Sequence, residues 1–191
     1  SELSFTEQML GNRYKRLSDP GLRRQWQRWV EDTIASTRRG GSAIVVEKLG
    51  RRLVLLRNGR IVSEFNAEFG RNGLADKLHA GDGATPEGRY FVKEKRDHGN
   101  TRWYRALVIN YPNAEDWQKY QQARRAGRIP GRYSIGGLIE IHGNGGKLKN
   151  WTDGCVALRN QDVDRLFSQV PVGTPVTIVG SARLPGDLAE R

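Results

Sequence analysis

Residues 138–144 read LIEIHGN and residues 151–158 read WTDGCVAL, and the prediction of fold and function starts from these two stretches. The first predicts a buried strand that ends at His142, and the second carries Cys155, the only cysteine among 191 residues. A thiol with an imidazole nearby and glycines on both sides is a candidate nucleophile with its base. A lone cysteine is more often a small buried hydrophobic residue, but these neighbours favour the catalytic interpretation.

The predicted roles follow from what thiol chemistry requires. A thiol attacks a carbonyl as thiolate, so we expect Cys155 to be the nucleophile and His142 to take its proton. A backbone carbonyl near Gly143 would fix the imidazole tautomer, and the N–H groups of Gly154 and Cys155 would form an oxyanion hole. Asp153 has three open roles: to orient the base, to bond the substrate or to brace the turn. The residues predicted to support the pair are Gly143, Asn144, Thr152 and Asp153.

The remaining histidines argue against a metal site. His79 and His98 lie in polar loop contexts and lack a ligand spacing such as i, i+4 on a helix. A single cysteine excludes an internal disulfide and argues against structural zinc, which needs several Cys or His ligands. We therefore expect no bound metal.

An N-terminal helical segment is predicted over residues 1–41. Its first part has a short apolar stripe formed by Phe5, Met9 and Leu10. Residues 18–20 read SDP, which is a helix start signal with proline in the first turn. Trp26 and Trp29 follow at helical spacing, and we expect them to pack against the next domain.

From Ser42 the hydrophobic period becomes that of strands, and the 23 glycines of the chain indicate many tight turns. We predict a mainly β catalytic domain with helices over residues 42–180 and a tail over 181–191. The first three strands form an antiparallel meander through an Asn58-Gly59 hairpin turn. The predicted strands cover 43–47, 51–56, 61–67, 89–93, 103–109, 138–141 and 175–179. Helices are predicted over 114–126, capped by Asn113, and after Asn160, which we expect to cap the second one.

Residues 113–137 are predicted to be a helical, basic insertion directly before the His142 strand. No acidic residue lies between Trp117 and Ile139, whereas the cations there include Lys119, Arg124, Arg125, Arg128 and Arg132. The insertion is either a solvated helix face or a lid that meets an anionic substrate, and the sequence leaves both open. The candidate substrate contacts are Thr85, Arg132, Tyr133 and Arg159.

The formal net charge of +11 favours an anionic partner. Nucleic acid is disfavoured, because no groove-reading motif is present and the cations are not interleaved with aromatic side chains. No apolar run reaches the roughly 20 residues of a membrane span. We expect a monomer by default.

Three stretches between Ala43 and Val179 resemble the catalytic domain of the L,D-transpeptidases, also called the YkuD domain. Residues 81–88 read GDGATPEG and are similar to the family's GD-x-x-TP-x-G loop. Residues 141–143 (IHG) resemble its first motif histidine, and residues 154–158 (GCVAL) resemble the segment that carries its cysteine nucleophile.

The resemblance implies a mixed β-sandwich with a periplasmic or cell-wall-facing active site, and an export signal already removed from the chain. It implies a cysteine acyl-enzyme on peptidoglycan stem peptides, formed when Cys155 attacks the L-centre carbonyl of diaminopimelate or lysine and releases D-alanine. An amine of a neighbouring stem would then resolve the thioester and make a cross-link. It also implies that no organic cofactor is needed.

Two departures from the family pattern bear on the choice of acceptor. The family usually has Ser/Thr-His-Gly-Cys, where residues 152–155 read TDGC, and it often has arginine at the position of Ala157. Two alternatives stay open: an L,D-carboxypeptidase or amidase-type hydrolase on the same scaffold, and a basic, non-catalytic wall-binding module. Retention of both Cys155 and His142 argues against the second.

Overall fold

The computed structural model describes residue 11 and residues 15–188, which form a mixed sheet with helices packed on it. The strands are β1 (Ser42–Glu47), β2 (Arg52–Arg57), β3 (Arg60–Asn66), β4 (Gly88–Arg96), β5 (Ala106–Ile109), β6 (Glu140–His142), β7 (Val156–Ala157) and β8 (Pro175–Val179). The helices of the described part include α1 (Pro20–Thr37), α2 (Ala114–Arg125) and α3 (Asn160–Gln169). The apolar stripe at Phe5, Met9 and Leu10 lies outside the described residues.

The strands run in the order β3-β2-β1-β8-β4-β5-β6-β7, so one sheet carries both halves of the fold. The first half contains the predicted antiparallel meander β1-β2-β3, and β8 joins it in parallel with β1. Strand β4 belongs to both halves, because residues 88–91 pair with β8 and residues 92–96 pair with β5. The mainly β, mixed architecture that the sequence predicts is confirmed, and its two halves are continuous through β4.

The main core lies between the two halves of this curled sheet. Side chains of the first half, such as Ile44 and Leu53, share one apolar cluster with Leu107 and Ile141 of the second. Helix α3 closes the cluster with Val163 and Leu166, whose spacing places them on one helix face.

Helix α1 covers the outer face of the first half. It begins at Pro20, and the Asp19 side chain accepts a hydrogen bond from Leu22 N at 2.8 Å, as the SDP signal predicts. Trp26 and Val30 are buried against sheet residues, among them Val45. Trp26 is 1% exposed, so it is a core residue of this layer.

Three local predictions need correction. Residues 103–105 are not strand, because Tyr104 has a φ of +78° and the chain bends there before β5. Strand β6 begins at Glu140, since Leu138 has a φ of +52°. The prediction that Asn160 caps α3 is wrong: Asn160 is its first residue, and the Asn160 side-chain oxygen accepts from Asn144 N at 2.7 Å.

A buried ion pair fixes the loop between β3 and β4 to the sheet. The ammonium of Lys48, which is 1% exposed, pairs with Glu87 at 2.9 Å. It also donates to the carbonyl oxygens of Ala75 at 2.9 Å and Thr85 at 2.7 Å. All three N–H donors of the lysine are therefore used, which is what a buried charge requires.

Helix α2 packs on the same loop. Asn113 and Asp116 form a capping box at its start, and Lys119 pairs with Asp76 of the loop at 2.6 Å. Behind the helix a small apolar cluster includes Tyr120 and Ile135. Of the helices that the structure describes, none is long and apolar enough to cross a membrane.

The packing of α1 is tested by Trp26→Ala, which we expect to lower the free energy of unfolding by about 3–5 kcal/mol, because it removes a fully buried indole. Trp117→Ala on α2 is the matched control, since Trp117 is 45% exposed; its cost should stay within about 1 kcal/mol. Urea unfolding followed by circular dichroism measures both. Equal losses for the two variants would contradict the assignment of α1 to the folded core.

Candidate active site

The parallel pairing of β6 with β7 brings the predicted nucleophile and base together. In this ladder His142 lies opposite Ala157 and Ile141 lies opposite Val156. Cys155 directly precedes β7, so it lies beside Glu140, about 6.6 Å along the strand direction and about 4.8 Å across from the His142 position. Alternation along the strands puts Cys155 and His142 on one face. Ile141 and Val156 point the other way, into the main core.

The sulfur of Cys155 lies against the backbone at the start of β6. The Glu140 N–H donates to Sγ at 3.4 Å, and the carbonyl oxygen of Leu138 lies 3.7 Å from Sγ. Cys155 is partly exposed, whereas Glu140 is 4% exposed. The Cys155 sulfur therefore contacts main-chain groups, and the residue stays partly exposed.

His142 is buried, and its tautomer is fixed. Its Nδ1 lies 2.7 Å from the carbonyl oxygen of Gly143. Because a carbonyl can only accept, Nδ1 carries the proton and Nε2 keeps the lone pair that a general base needs. The ring stacks on Trp103 at 5.2 Å between centroids, and Trp151 meets it edge-on at 5.8 Å. The predicted role of a carbonyl near Gly143 matches this geometry.

Burial sets the charge of both reacting groups. It lowers the pKa of His142 to about 4, although the hydrogen bond to Gly143 opposes the effect. It raises the pKa of Cys155 to about 12, against the opposing bond from Glu140 N–H. Near pH 7 the resting site therefore holds a neutral thiol beside a neutral imidazole, and not a preformed thiolate–imidazolium pair.

A carboxylate that the sequence did not reveal organises the loop between β6 and β7. Glu68 is 5% exposed and accepts hydrogen bonds from Trp151 Nε1 at 2.9 Å, Gly146 N at 3.1 Å and Leu148 N at 2.5 Å. Burial alone would raise the pKa of Glu68, but these bonds outweigh it and the pKa is lowered. The ionised carboxylate thus holds the Trp151 ring that contacts His142.

The turn before the nucleophile is closed by Thr152. The Thr152 hydroxyl donates to Cys155 O at 2.7 Å and accepts from Gly154 N at 3.2 Å. The Gly154 N–H is therefore occupied within the turn, which leaves Cys155 N–H as the candidate oxyanion donor. Gly154 has a φ of +147°, and a Cβ there would lie 2.7 Å from Ala84 O, so this position needs glycine.

Asp153 braces this turn from outside. Its side chain is 88% exposed and forms an ion pair with Arg71. Arg71 also donates to Trp151 O at 3.1 Å, so its guanidinium binds the turn at residues 151 and 153. Of the three predicted roles of Asp153, the geometry supports bracing.

The supporting residues after His142 shape the backbone. Gly143 N donates to Trp103 O at 3.0 Å, and a Cβ at Gly143 would lie 3.0 Å from the same oxygen. Asn144 has a φ of +63°, and its N–H is bound by Asn160. These contacts turn the chain away from β6 directly after the base.

The four candidate substrate contacts differ in position. Thr85 is fully buried and its hydroxyl accepts from Gly70 N at 3.0 Å, so the structure reassigns it from substrate contact to loop brace. Arg159 pairs with Asp162 at 3.0 Å at the start of α3. Arg132 lies over the Tyr133 ring at 4.7 Å, and Tyr133 stacks on His79 at 4.9 Å. Arg132 and Tyr133 therefore lie beside the loop of residues 79–83.

Sequence reasoning also missed Trp103, because it was assigned to a strand. Its indole reaches His142 only because residues 103–105 bend. For Trp151, the available signal was an aromatic residue inside the cysteine motif. Across the described residues, no group of three or more His, Cys, Asp or Glu side chains is arranged to hold a metal.

Comparison with known proteins gives one family. A model of the L,D-transpeptidase catalytic domain, YkuD, matches residues 41–178. YafK of Escherichia coli K12, a candidate L,D-transpeptidase, is 34% identical over 98 residues, which are 51% of this chain and 32% of YafK. YqjB of Bacillus subtilis, also a candidate L,D-transpeptidase, is 26% identical over 149 residues, which are 75% of this chain and 74% of YqjB.

Solved structures share the fold. Bd1075 of Bdellovibrio bacteriovorus is 26% identical with a TM-score of 0.54, over 73% of this chain and 48% of Bd1075. The helical cell shape determining protein Pgp2 of Campylobacter jejuni is 24% identical with a TM-score of 0.55, over 75% of this chain and 49% of Pgp2. The chain thus spans about a third of YafK and about half of these two structures.

The protonation state of the pair is tested by alkylation of Cys155 with iodoacetamide between pH 6 and 9.5, followed by intact mass. Because burial raises the thiol pKa to about 12, the rate should rise about tenfold per pH unit without a plateau. A plateau between pH 6 and 8 would instead reveal a thiolate–imidazolium pair and refute the neutral assignment.

Proposed function

The chain belongs to the L,D-transpeptidase catalytic domain family, and from this premise we propose that it is a cysteine acyltransferase that remodels peptidoglycan. Family membership supports a function in peptidoglycan metabolism. The acyl-enzyme and the cross-linking reaction are our proposal. They are carried by one observation: Cys155 and His142 lie on one face of two paired strands, with Nδ1 committed to Gly143 and Nε2 available as base.

In the proposed first step, Nε2 of His142 takes the thiol proton while Sγ of Cys155 attacks the L-centre carbonyl of residue three of a tetrapeptide stem. The carbonyl oxygen becomes an oxyanion that the Cys155 N–H can bind. The oxyanion then collapses, the C–N bond to D-alanine breaks, and imidazolium returns the proton to the leaving amine. The products are a thioester on Cys155 and free D-alanine.

In the second step an amine of a neighbouring stem attacks the thioester. His142 takes a proton from the amine, the C–S bond breaks as the new amide forms, and the imidazolium returns the proton to the sulfur of Cys155. The result is a cross-link, and no oxidant, reductant or metal enters the balance. Because peptidoglycan carries many carboxylates, the net charge of +11 favours attraction to it. We place this reaction in the periplasm or facing the cell wall.

Hydrolysis by water is the second candidate, since it requires the same acyl-enzyme. Asp153 stands where the family usually has a second histidine, and it is 88% exposed and paired with Arg71. Position 153 therefore supplies no imidazole to the proposed reaction. The missing imidazole affects neither the attack by Cys155 nor the release of D-alanine. It leaves water able to compete with an amine for the thioester.

The test is incubation of the protein with purified tetrapeptide muropeptides, followed by intact-protein mass spectrometry and chromatography of the products. We expect a thioester adduct on the wild type and release of D-alanine. Cys155→Ala should form no adduct, and His142→Asn should slow adduct formation by about 10²–10⁴-fold, the usual contribution of a general base. His98→Asn is the matched control, because His98 lies in the 97–99 turn with its side chain 55% exposed.

Dimeric muropeptides would identify transpeptidation, and tripeptides alone would identify the hydrolase. Release of D-alanine by Cys155→Ala at the wild-type rate would refute both candidates. So would the lack of both an adduct and D-alanine release with folded wild-type protein.

A further inference from the structure

A buried lysine lies beside the nucleophile turn, outside the groups that the proposed reaction uses. Lys77 belongs to the loop between β3 and β4 and is 5% exposed. Its ammonium pairs with Asp82 at 2.9 Å. A Cβ built on Gly154 would lie 3.5 Å from the Lys77 nitrogen, so the ammonium lies next to Gly154, which directly precedes Cys155.

The partner of Lys77 is itself heavily bonded. Asp82 accepts from the backbone N–H groups of Leu78 at 2.8 Å, His79 at 3.1 Å and Ala84 at 3.0 Å, in addition to Lys77. Burial alone would raise the pKa of Asp82, but these four donors outweigh it and the pKa is lowered. The negative charge of Asp82 is thus shared among four donors. Within residues 15–188, the Lys77 ammonium makes one hydrogen bond, and that bond is to Asp82.

A buried ammonium with spare N–H donors attracts negative charge. The charges around the sulfur make the direction clear. The positive charge of Lys77 favours the thiolate, as the Glu140 N–H bond does, whereas the carboxylate charges of Glu140 and Asp153 disfavour it. Asp153 is paired with Arg71 at the surface, and His142 is neutral near pH 7. Within the described part of the chain, Lys77 is therefore the cation placed to assist Cys155.

We propose that Lys77 is a positioning residue that holds a positive charge beside the Gly154–Cys155 peptide and favours the negatively charged sulfur. The inference rests on Cys155 as nucleophile, but its main readout needs no substrate. Asp82 fixes the ammonium in place, and its negative charge weakens the effect of the ammonium on the sulfur. The loop with the GD-x-x-TP-x-G pattern then has an electrostatic function as well as a structural one.

The experiment measures the alkylation rate of Cys155 by iodoacetamide at pH 8.5 in the full chain. Lys77→Met keeps the length of the side chain and removes the charge. We expect a rate about tenfold lower, because loss of a nearby unit charge in a protein interior destabilises the thiolate. Lys77→Arg should retain most of the wild-type rate. Lys119→Met is the matched control, because Lys119 also pairs with an aspartate, Asp76, but Lys119 itself lies on α2.

Asp82→Asn gives a change of opposite sign. It keeps one acceptor oxygen, for the N–H groups of Leu78 and His79, and it loses the oxygen that accepts from Ala84 N–H and Lys77. It also removes the charge that opposes Lys77, so alkylation should become about tenfold faster. If loop opening caused that increase, the double variant Lys77→Met/Asp82→Asn would stay as fast as Asp82→Asn. If the ammonium caused it, the double variant falls to or below the wild-type rate.

The proposal is overturned if Lys77→Met, shown to be folded by circular dichroism, reacts within twofold of the wild type. It is equally overturned if Lys77→Arg is as slow as Lys77→Met, or if Asp82→Asn slows the reaction. A lack of turnover on muropeptides with these alkylation shifts present would count against the proposed function and not against the role of Lys77.

Discussion

The parallel pairing of β6 with β7 is the constraint on which the site depends. Parallel neighbours need a crossover connection, and here residues 143–155 supply it without a helix. The connection must therefore be held by other means. Glu68 binds its middle through Gly146, Leu148 and Trp151, and its own backbone pairs with Ala157 at 2.9 Å and 2.8 Å. Loss of these bonds would release the loop and the Trp151 contact to His142 together.

The two faces of the second sheet half serve different needs. One face contributes apolar side chains to the core, and the other presents Cys155 and His142, whose ring lies against Trp103 and Trp151. Because the strands alternate, a register slip by one residue would exchange these faces. The apolar residues Ile141 and Val156 therefore fix the register, and through it they fix the geometry of the reacting pair.

Local patterns in the sequence were enough for the strands, the SDP helix start and the capped helix α2, because each depends on neighbours in the chain. The candidate nucleophile and base were also predicted from local motifs. Glu68, Trp103 and Lys77 could not be found in this way. Their partners lie far along the chain, as with Glu68 and Trp151, and only the folded sheet brings them together. The Asn160 cap failed for the same reason, since Asn144 takes its side chain.

Burial poses a chemical problem that the surroundings must solve. A thiol with a pKa near 12 and an imidazole with a pKa near 4 exchange a proton unfavourably, so neither group alone would account for the proposed nucleophilic attack. The charged products of that exchange need fixed partners: the Gly143 carbonyl for the imidazolium and positive charge or N–H groups for sulfur and oxyanion. A desolvated site makes each such partner more effective than it would be in water. The same burial that suppresses the resting thiolate therefore increases the effect of Lys77 and of the Cys155 N–H when charge develops.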